Sequence, residues 1–286
     1  MAGSYKIWIA GAKGSVGSAL RRELSNMKYQ LYCTDIEDVD ITDLEQVELF
    51  ADMQRPDVII NCAGVTDVQY CEEHVEQAYK VNAVGARNLS LAAGRVGAKM
   101  IQISTDDVFA GDSTVPYNEF DFPAPGTVYG KSKYAGENFV KELVQKHIIV
   151  RSSWVYGLGR DYVDYVLEES EKKEVLEAAH NQFAVPTSAA EVARVIVHLM
   201  EESLYGVYHV VCKGSCSRYE FAQEIIRLAG RDTRVVPVMD NHQIRPNYSV
   251  LDNLMLRITG VEEPGDWKEV LEAYMEEWRK NQTYEK

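Results

Sequence analysis

Apolar and polar positions along this chain fall into two alternating rhythms. Short runs that stay apolar over most of their length, at Lys6–Ala10, Gln30–Thr34, Val58–Asn61, Met100–Ser104 and His147–Ser152, predict strands. Helical periodicity predicts helices between them: from the glycines after Ala10 through Leu24, then over Leu44–Met53, Ala78–Val96 and Val128–Val144. Strands this apolar need cover on both faces, and alternating amphipathic helices supply it. The expected class is therefore α/β, a doubly wound parallel sheet with ligands at the carboxyl ends of its strands.

Beyond Trp154 the rhythm changes. Helices are expected over Asp161–Glu171 and Ala189–Met200, strands over Val175–Ala179 and Val207–Val211, and a mostly helical tail from about Cys212. Trp267, Val270, Leu271, Tyr274, Met275 and Trp278 recur at helical spacing and read as core packing. The charge run from Glu168 to Glu174 reads as solvated surface. The expected organisation is interleaved. Residues 1–155 with about 176–212 form a dinucleotide-binding part; about 156–175 with 213–286 form a smaller, mostly helical substrate-binding region.

Composition narrows the function classes. The 286 residues carry 30 basic and 44 acidic side chains, a net charge of −14, which argues against nucleic acid or an anionic membrane as the main partner. The first residues, Met-Ala-Gly-Ser-Tyr, lack signal-peptide anatomy, and no apolar run approaches the roughly 18–20 residues of a membrane span. The five cysteines, an odd number, read as reduced thiols in a cytoplasmic protein. Cys212 and Cys216 are too few for a zinc site, and no cluster suggests a metal.

Gly11, Gly14 and Gly17 form a GxxGxxG pattern between the first strand and first helix, with Lys13, Ser15 and Val16 inside it. Such a turn lets backbone amides approach a pyrophosphate at a positive helix end, which makes the sheet Rossmann-like. Asp35 ends the second strand, placed to accept from the adenosine ribose hydroxyls, and Glu37, Asp38 and Asp40 follow. A 2′-phosphate would meet these negative charges, so NAD(H) is favoured; Lys13, able to reach such a phosphate, keeps NADP(H) open. Asp40 and Ile41 fall where an adenine-contacting pair is expected, unless these loop acids are merely solvated.

Tyr129 and Lys133 lie four apart at the start of a helix, so phenol and ammonium share a face. An unperturbed tyrosine titrates near pKa ~10; a nearby ammonium is expected to lower that value towards a usable proton shuttle. Thr105, in Ser104-Thr105-Asp106 at the end of the fourth strand, is placed to hold a substrate carbonyl oxygen while Tyr129 protonates it. Among 17 tyrosines a Tyr-x-x-x-Lys pair is common; glycine loop, strand-end Ser-Thr and pair in this order are not.

These residues resemble the dTDP-4-dehydrorhamnose reductase family of extended short-chain dehydrogenases. The resemblance spans nearly the whole chain. It runs through Asp57–Ala63, Ser104-Thr105-Asp106 with Val108-Phe109, Tyr129–Lys133, Gly136-Glu137 and Arg151–Gly157. It continues through Pro186-Thr187, Gly206–His209, Arg245-Pro246, Ser249 and Leu251-Asp252. It implies reduction of a 4-keto group on a nucleotide-linked deoxysugar by NAD(P)H, with Thr105, Tyr129 and Lys133 as the triad. It also implies a cofactor bed that includes Cys62, Ala63 and Gly64, and a sugar pocket with Asp106, Asp107 and Trp154. Departures lie on the substrate side: Asp107 stands where the family usually has tyrosine, and Val68–Glu72, Gly159–Tyr162 and Phe183–Val185 differ from its pattern.

Two alternatives stay open. Nucleotide-sugar 4,6-dehydratases carry an Asp-Glu pair after the Ser-Thr, to which Asp106-Asp107 compares, and they and the epimerases recycle bound NAD. The regulatory beta subunit of methionine adenosyltransferase is similar to this family and acts by binding a partner. His180 reads as a polar loop residue, His209 as strand-end packing, and Arg245 equally as a phosphate contact or a structural salt bridge. A homodimer is an open option, since oligomeric state is not legible here.

Overall fold

In a computed structural model that describes residues 5–25, 27–159, 161–240 and 244–284, the chain winds around one parallel sheet. It opens with β1 (Tyr5–Ala10), α1 (Ser15–Leu24), β2 (Tyr29–Thr34), α2 (Leu44–Gln54) and β3 (Val58–Asn61). Next come α3 (Val68–Glu73), α4 (Val75–Tyr79), a π-helical turn at Lys80–Gly85, α5 (Ala86–Val96) and β4 (Lys99–Thr105). A 3-10 turn at Asp106–Val108 and a long loop lead to α6 (Val128–Leu143), β5 (His147–Ser152) and β6 (Val155–Tyr156). Then follow α7 (Tyr162–Lys172), β7 (Val175–Ala179), β8 (Phe183–Ala184), β9 (Thr187–Ser188), α8 (Ala189–Glu201) and β10 (Gly206–His209). The chain closes with β11 (Cys216–Ser217), α9 (Arg218–Ala229), β12 (Arg234–Val238), α10 (Leu254–Thr259) and α11 (Trp267–Tyr284).

The six strands lie in the order β10-β5-β4-β3-β1-β2, every neighbouring pair parallel. The chain leaves β1 for β2 and returns to the other side of β1 as β3. That reversal opens a crevice at the carboxyl ends of β1 and β3, where open α/β sheets take ligands.

The period-two geometry of a strand sorts the side chains into two cores. Ile7 and Ile9 pack with Leu20, Val192 and Ile196 from α1 and α8 on one face; Trp8 and Ala10 pack with Val47, Leu89 and Val140 from α2, α5 and α6 on the other. Each fully buried aliphatic side chain contributes about 1.5–3 kcal/mol. A third core, with Tyr156, Leu176, Phe221, Ile225, Leu271 and Met275, lies under the other wall of the crevice.

Three expectations are refined. The helix expected over 78–96 is present and begins at Val75, but it carries a π-helical turn at Lys80–Gly85, and α3 precedes it. Asn82, buried in the π turn, exchanges hydrogen bonds with the Val65 backbone and donates to Ser132. The tail, expected to be mostly helical, holds α9, α10 and α11 and adds the strand β12, paired in parallel with β7. Consequently β7, grouped by sequence with the dinucleotide-binding part, joins a separate two-stranded sheet and packs into the third core. Periodicity shows that a segment is a strand but not which partner it finds. Met1–Ser4 and Arg160 lie outside the described residues. Among the described residues no helix is long and apolar enough to cross a membrane.

Candidate active site

The glycine loop follows β1 directly. Gly11 has φ of +78°, and a Cβ there would stand 2.5 Å from the Ala63 nitrogen. Only glycine lets the turn pass this close to the end of β3. Gly17, buried in α1, packs on Gly11 in the same way. Gly14 is the N-cap of α1 and no side chain caps it, so the first amides of that helix are left for a ligand. The Lys13 amide donates to Asp35 Oδ2 at 3.0 Å, which ties the loop to the end of β2. These features fit a dinucleotide: a glycine cradle, free helix-end amides and a strand-end carboxylate.

A cleft of about 770 Å³ runs from this loop across the ends of β3, β4 and β5. Lys13, Gly14, Ser15, Val16, Cys62 and Gly64 line its nucleotide end. Thr105, Asp106, Tyr129, Lys133 and Trp154 line its centre and far end.

What brings Tyr129 to Thr105 is the start of α6. Thr127 caps the helix by accepting from the Gly130 amide at 2.8 Å. A Cβ on Gly130 would stand 2.0 Å from the Asp107 carbonyl oxygen, so glycine lets the helix end sit against the 3-10 turn. Further along, buried Glu137 accepts from Arg151 through Nε at 2.9 Å and Nη2 at 2.7 Å, and from Ser104 Oγ at 2.6 Å. This pins α6 to β4 and β5 and fixes the height of Tyr129 and Lys133 over the strand ends.

Thr105 Oγ1 donates to Asp106 Oδ1 at 3.1 Å, and Asp106 Oδ2 accepts from Ser153 at 2.8 Å; Thr105 and the Tyr129 phenol line the same cleft. Lys133 Nζ donates to the Ile103 carbonyl at 2.6 Å, and burial pushes its pKa down to about 8. The Tyr129 phenol is shifted upward, chiefly by burial and then by the Asp107 carboxylate, with Arg245 and Thr105 opposing. Here the expectation of a value lowered by Lys133 is corrected: the ammonium faces the Ile103 carbonyl, and desolvation dominates the phenol. Without a ligand the phenol holds its proton firmly.

The family model described as RmlD substrate binding domain matches residues 5–280. The chain belongs to this family. A spore coat polysaccharide biosynthesis protein, SpsK, of Bacillus subtilis is 35% identical over 277 residues, covering 95% of this chain and 97% of the relative. The solved structure of a dTDP-4-dehydrorhamnose reductase from Clostridium acetobutylicum superposes with a TM-score of 0.94 at 42% identity, over 96% of this chain and 99% of that one. The enzyme of the same name from Bacillus anthracis, solved in complex with NADP, gives 0.94 at 40%, over 96% and 100%.

Within this RmlD-family chain, several expected residues lie behind the cleft surface. Gly11, Gly17 and Ala63 form its backing. Asp35 holds the loop from beside it, while Asp40 accepts from the Thr42 amide and Ile41 is buried next to Gly85 beneath α5. Asp107 is buried in an ion pair with Arg245, Nη1 to Oδ2 3.3 Å, and burial pushes its pKa up to about 6. Arg245 itself lines the cleft, so both readings of it hold in part. Tyr162, from a stretch read as departing from the family on the substrate side, also lines it, and sequence reasoning missed Thr66, Asp67 and Arg218 there. No local motif marks them; Arg218 opens α9 far along the chain and arrives only through the third core. His209 is buried edge-on to Phe109, and all five cysteines are free. Among the described residues no three of His, Cys, Asp or Glu group to hold a metal.

Proposed function

We propose that this protein reduces the 4-keto group of a nucleotide-linked deoxysugar, in the manner of a dTDP-4-dehydrorhamnose reductase. The observation that carries this reading is the convergence of Thr105, Tyr129 and Lys133 in one cleft with the uncapped end of α1. NAD(P)H, when bound, supplies the hydride. Gly14, Ser15 and Val16 hold its diphosphate, Asp35 and the Asp40-Ile41 loop border its adenosine, and Lys133 with Cys62, Ala63 and Gly64 borders its other half. Thr105 turns its hydroxyl proton from Asp106 to the substrate carbonyl oxygen. Tyr129 donates its proton to that oxygen, and its upward-shifted pKa keeps it loaded at neutral pH. Trp154 and Asp106 shape the sugar end, with Asp107 buried against Arg245 behind it.

Both nicotinamide cofactors fit the loop, since Lys13 and the acids after Asp35 pull in opposite directions. The interleaved division, amended to move β7 across, separates cofactor-holding from sugar-holding segments, and five free thiols support a cytoplasmic setting. The dehydratase reading asks Asp107 for acid/base work; its burial and pairing with Arg245 favour reduction.

The test is consumption of NADH and NADPH with dTDP-linked 4-keto-6-deoxy sugars. One cofactor oxidised per sugar reduced is expected, with Tyr129→Phe slower by about 10²–10⁴-fold at unchanged fold. Conversion without net cofactor consumption would point to an epimerase or dehydratase. Binding of a synthetase with no oxidation would point to a regulatory subunit.

A further inference from the structure

Among the described residues, one arginine of the cleft has no carboxylate within ion-pair distance and no acceptor for its side-chain N–H groups. Lys13 is paired with Glu37 at 2.9 Å, Arg245 with Asp107, and Lys133 gives a hydrogen to the Ile103 carbonyl. Arg218 differs. Its guanidinium is stacked between two rings, 3.6 Å from the Trp154 centroid and 4.4 Å from that of Tyr162. Trp154 reaches this position with φ of +40°, a conformation unusual for a large side chain. Among the described residues no carboxylate lies within ion-pair distance of Arg218, and none of its side-chain N–H groups finds an acceptor.

Stacking occupies the two faces of a guanidinium and leaves its edge, where all five N–H donors lie, free. Burial and the neighbouring Arg245 charge work against the cation and pull its pKa down to about 10, with Tyr162, Asp106 and Asp107 only partly offsetting them from beyond ion-pair distance. A protein with 44 acidic residues has left this one unpaired at the sugar end of the cleft. An edge-on guanidinium matches the paired oxygens of a carboxylate or phosphate.

We infer that Arg218, clamped by Trp154 and Tyr162, is an oxyanion-binding and specificity-determining residue that receives an anionic group of the nucleotide-sugar. The inference rests on the reductase reading for the identity of that ligand. The anion has two possible carriers, the diphosphate linking nucleoside to sugar and an acidic substituent on the sugar ring.

Calorimetry on the full chain tests this with inorganic pyrophosphate, dTDP, thymidine and a nucleotide-linked uronic acid as probes, against Arg218→Gln and Arg218→Lys. If the diphosphate is the carrier, Arg218→Gln weakens dTDP and pyrophosphate by about 10- to 100-fold, as loss of charge-assisted hydrogen bonds implies. Thymidine and NADPH binding stay within about twofold. If the sugar bears the anion, dTDP is unaffected and only the uronic acid conjugate is weakened. In both cases Arg218→Lys recovers part of the loss and KM rises more than kcat falls. Equal binding of every anionic probe by wild type and Arg218→Gln overturns the inference. Arg218-dependent pyrophosphate binding in a protein that reduces no keto-sugar sustains the anion site while the reductase reading fails.

Discussion

The two ends of the cleft are built by different means. At the nucleotide end the ligand surface is mostly backbone: the turn at Gly11 and the amides of α1, set by one contiguous segment and braced by Asp35. At the sugar end it is side chain: Trp154, Tyr162, Arg218 and Arg245 are brought together from separate segments by stacking and, from behind the surface, by the Asp107–Arg245 ion pair. Backbone amides recognise a constant group and are indifferent to side-chain change. A surface of interlocked side chains can be altered residue by residue without moving the hydride-transfer geometry. Departures from the family pattern at Asp107 and around Gly159–Tyr162 therefore bear on which sugar is taken, and leave the cofactor end as it is.

The largest expected effect strikes the scaffold that both ends share. Glu137 is fully buried, and although burial pushes its pKa up, Arg151 and Lys141 more than offset this and hold it below the usual carboxylate range. Removing one partner of a buried pair leaves the other charge uncompensated, at about 3–5 kcal/mol. Glu137→Ala should lose stability on that scale in urea unfolding and reduce cofactor and sugar binding together. Loss at one end alone would mean that the two ends are braced separately. Because the folded-state pKa is depressed, this contribution is present above the unfolded value near pH ~4.3 and disappears as acid titrates the carboxylate.

The same contrast explains what the sequence could disclose. The glycine loop, the first five strands of the sheet and the Tyr129–Lys133 spacing are local, so period and motif are enough to place them. Arg218 carries no local mark, because its meaning comes from Trp154 and Tyr162 meeting it across the third core. The strand partners of β7 and β12 were hidden for a similar reason: pairing is decided by topology, not by period. The shift of Tyr129 was misjudged because helical spacing fixes which residues share a face but not how dry that face is. Burial, which outweighs the Lys133 charge there, is a property of everything packed around α6.

A smaller effect sharpens the sugar end. The Asp107 carboxyl, raised to about 6, binds its proton more tightly in the folded protein than unfolded. Stability should therefore fall as pH rises from about 4 through 6, and Asp107→Asn should flatten that slope in denaturation midpoints. As pH drops below about 6, protonation also releases Arg245 from its only ion pair among the described residues. The KM for the keto-sugar should accordingly show a transition near pH 6 in the wild type and none in Asp107→Asn. A transition that persists in the variant would assign it to another group.

The smallest effect belongs to the rim of the nucleotide end. Lys13 and Glu37 pair at 2.9 Å, yet the two side chains are 65% and 64% exposed. Pairs this open to water hold each other weakly and yield to a stronger competitor. A 2′-phosphate beside the ribose would draw Lys13 away from Glu37 by its greater charge, whereas a plain ribose hydroxyl would leave the pair closed. Lys13→Gln should therefore raise the KM for NADPH several-fold with little change for NADH, and Glu37→Gln should lower it, by removing both the competitor and a repelling charge. Dissociation constants measured at low and high salt check the cause, since a difference made by exposed charges fades as the Debye length shortens. A cofactor preference that resists salt would locate the discrimination deeper, in the backbone around Asp35.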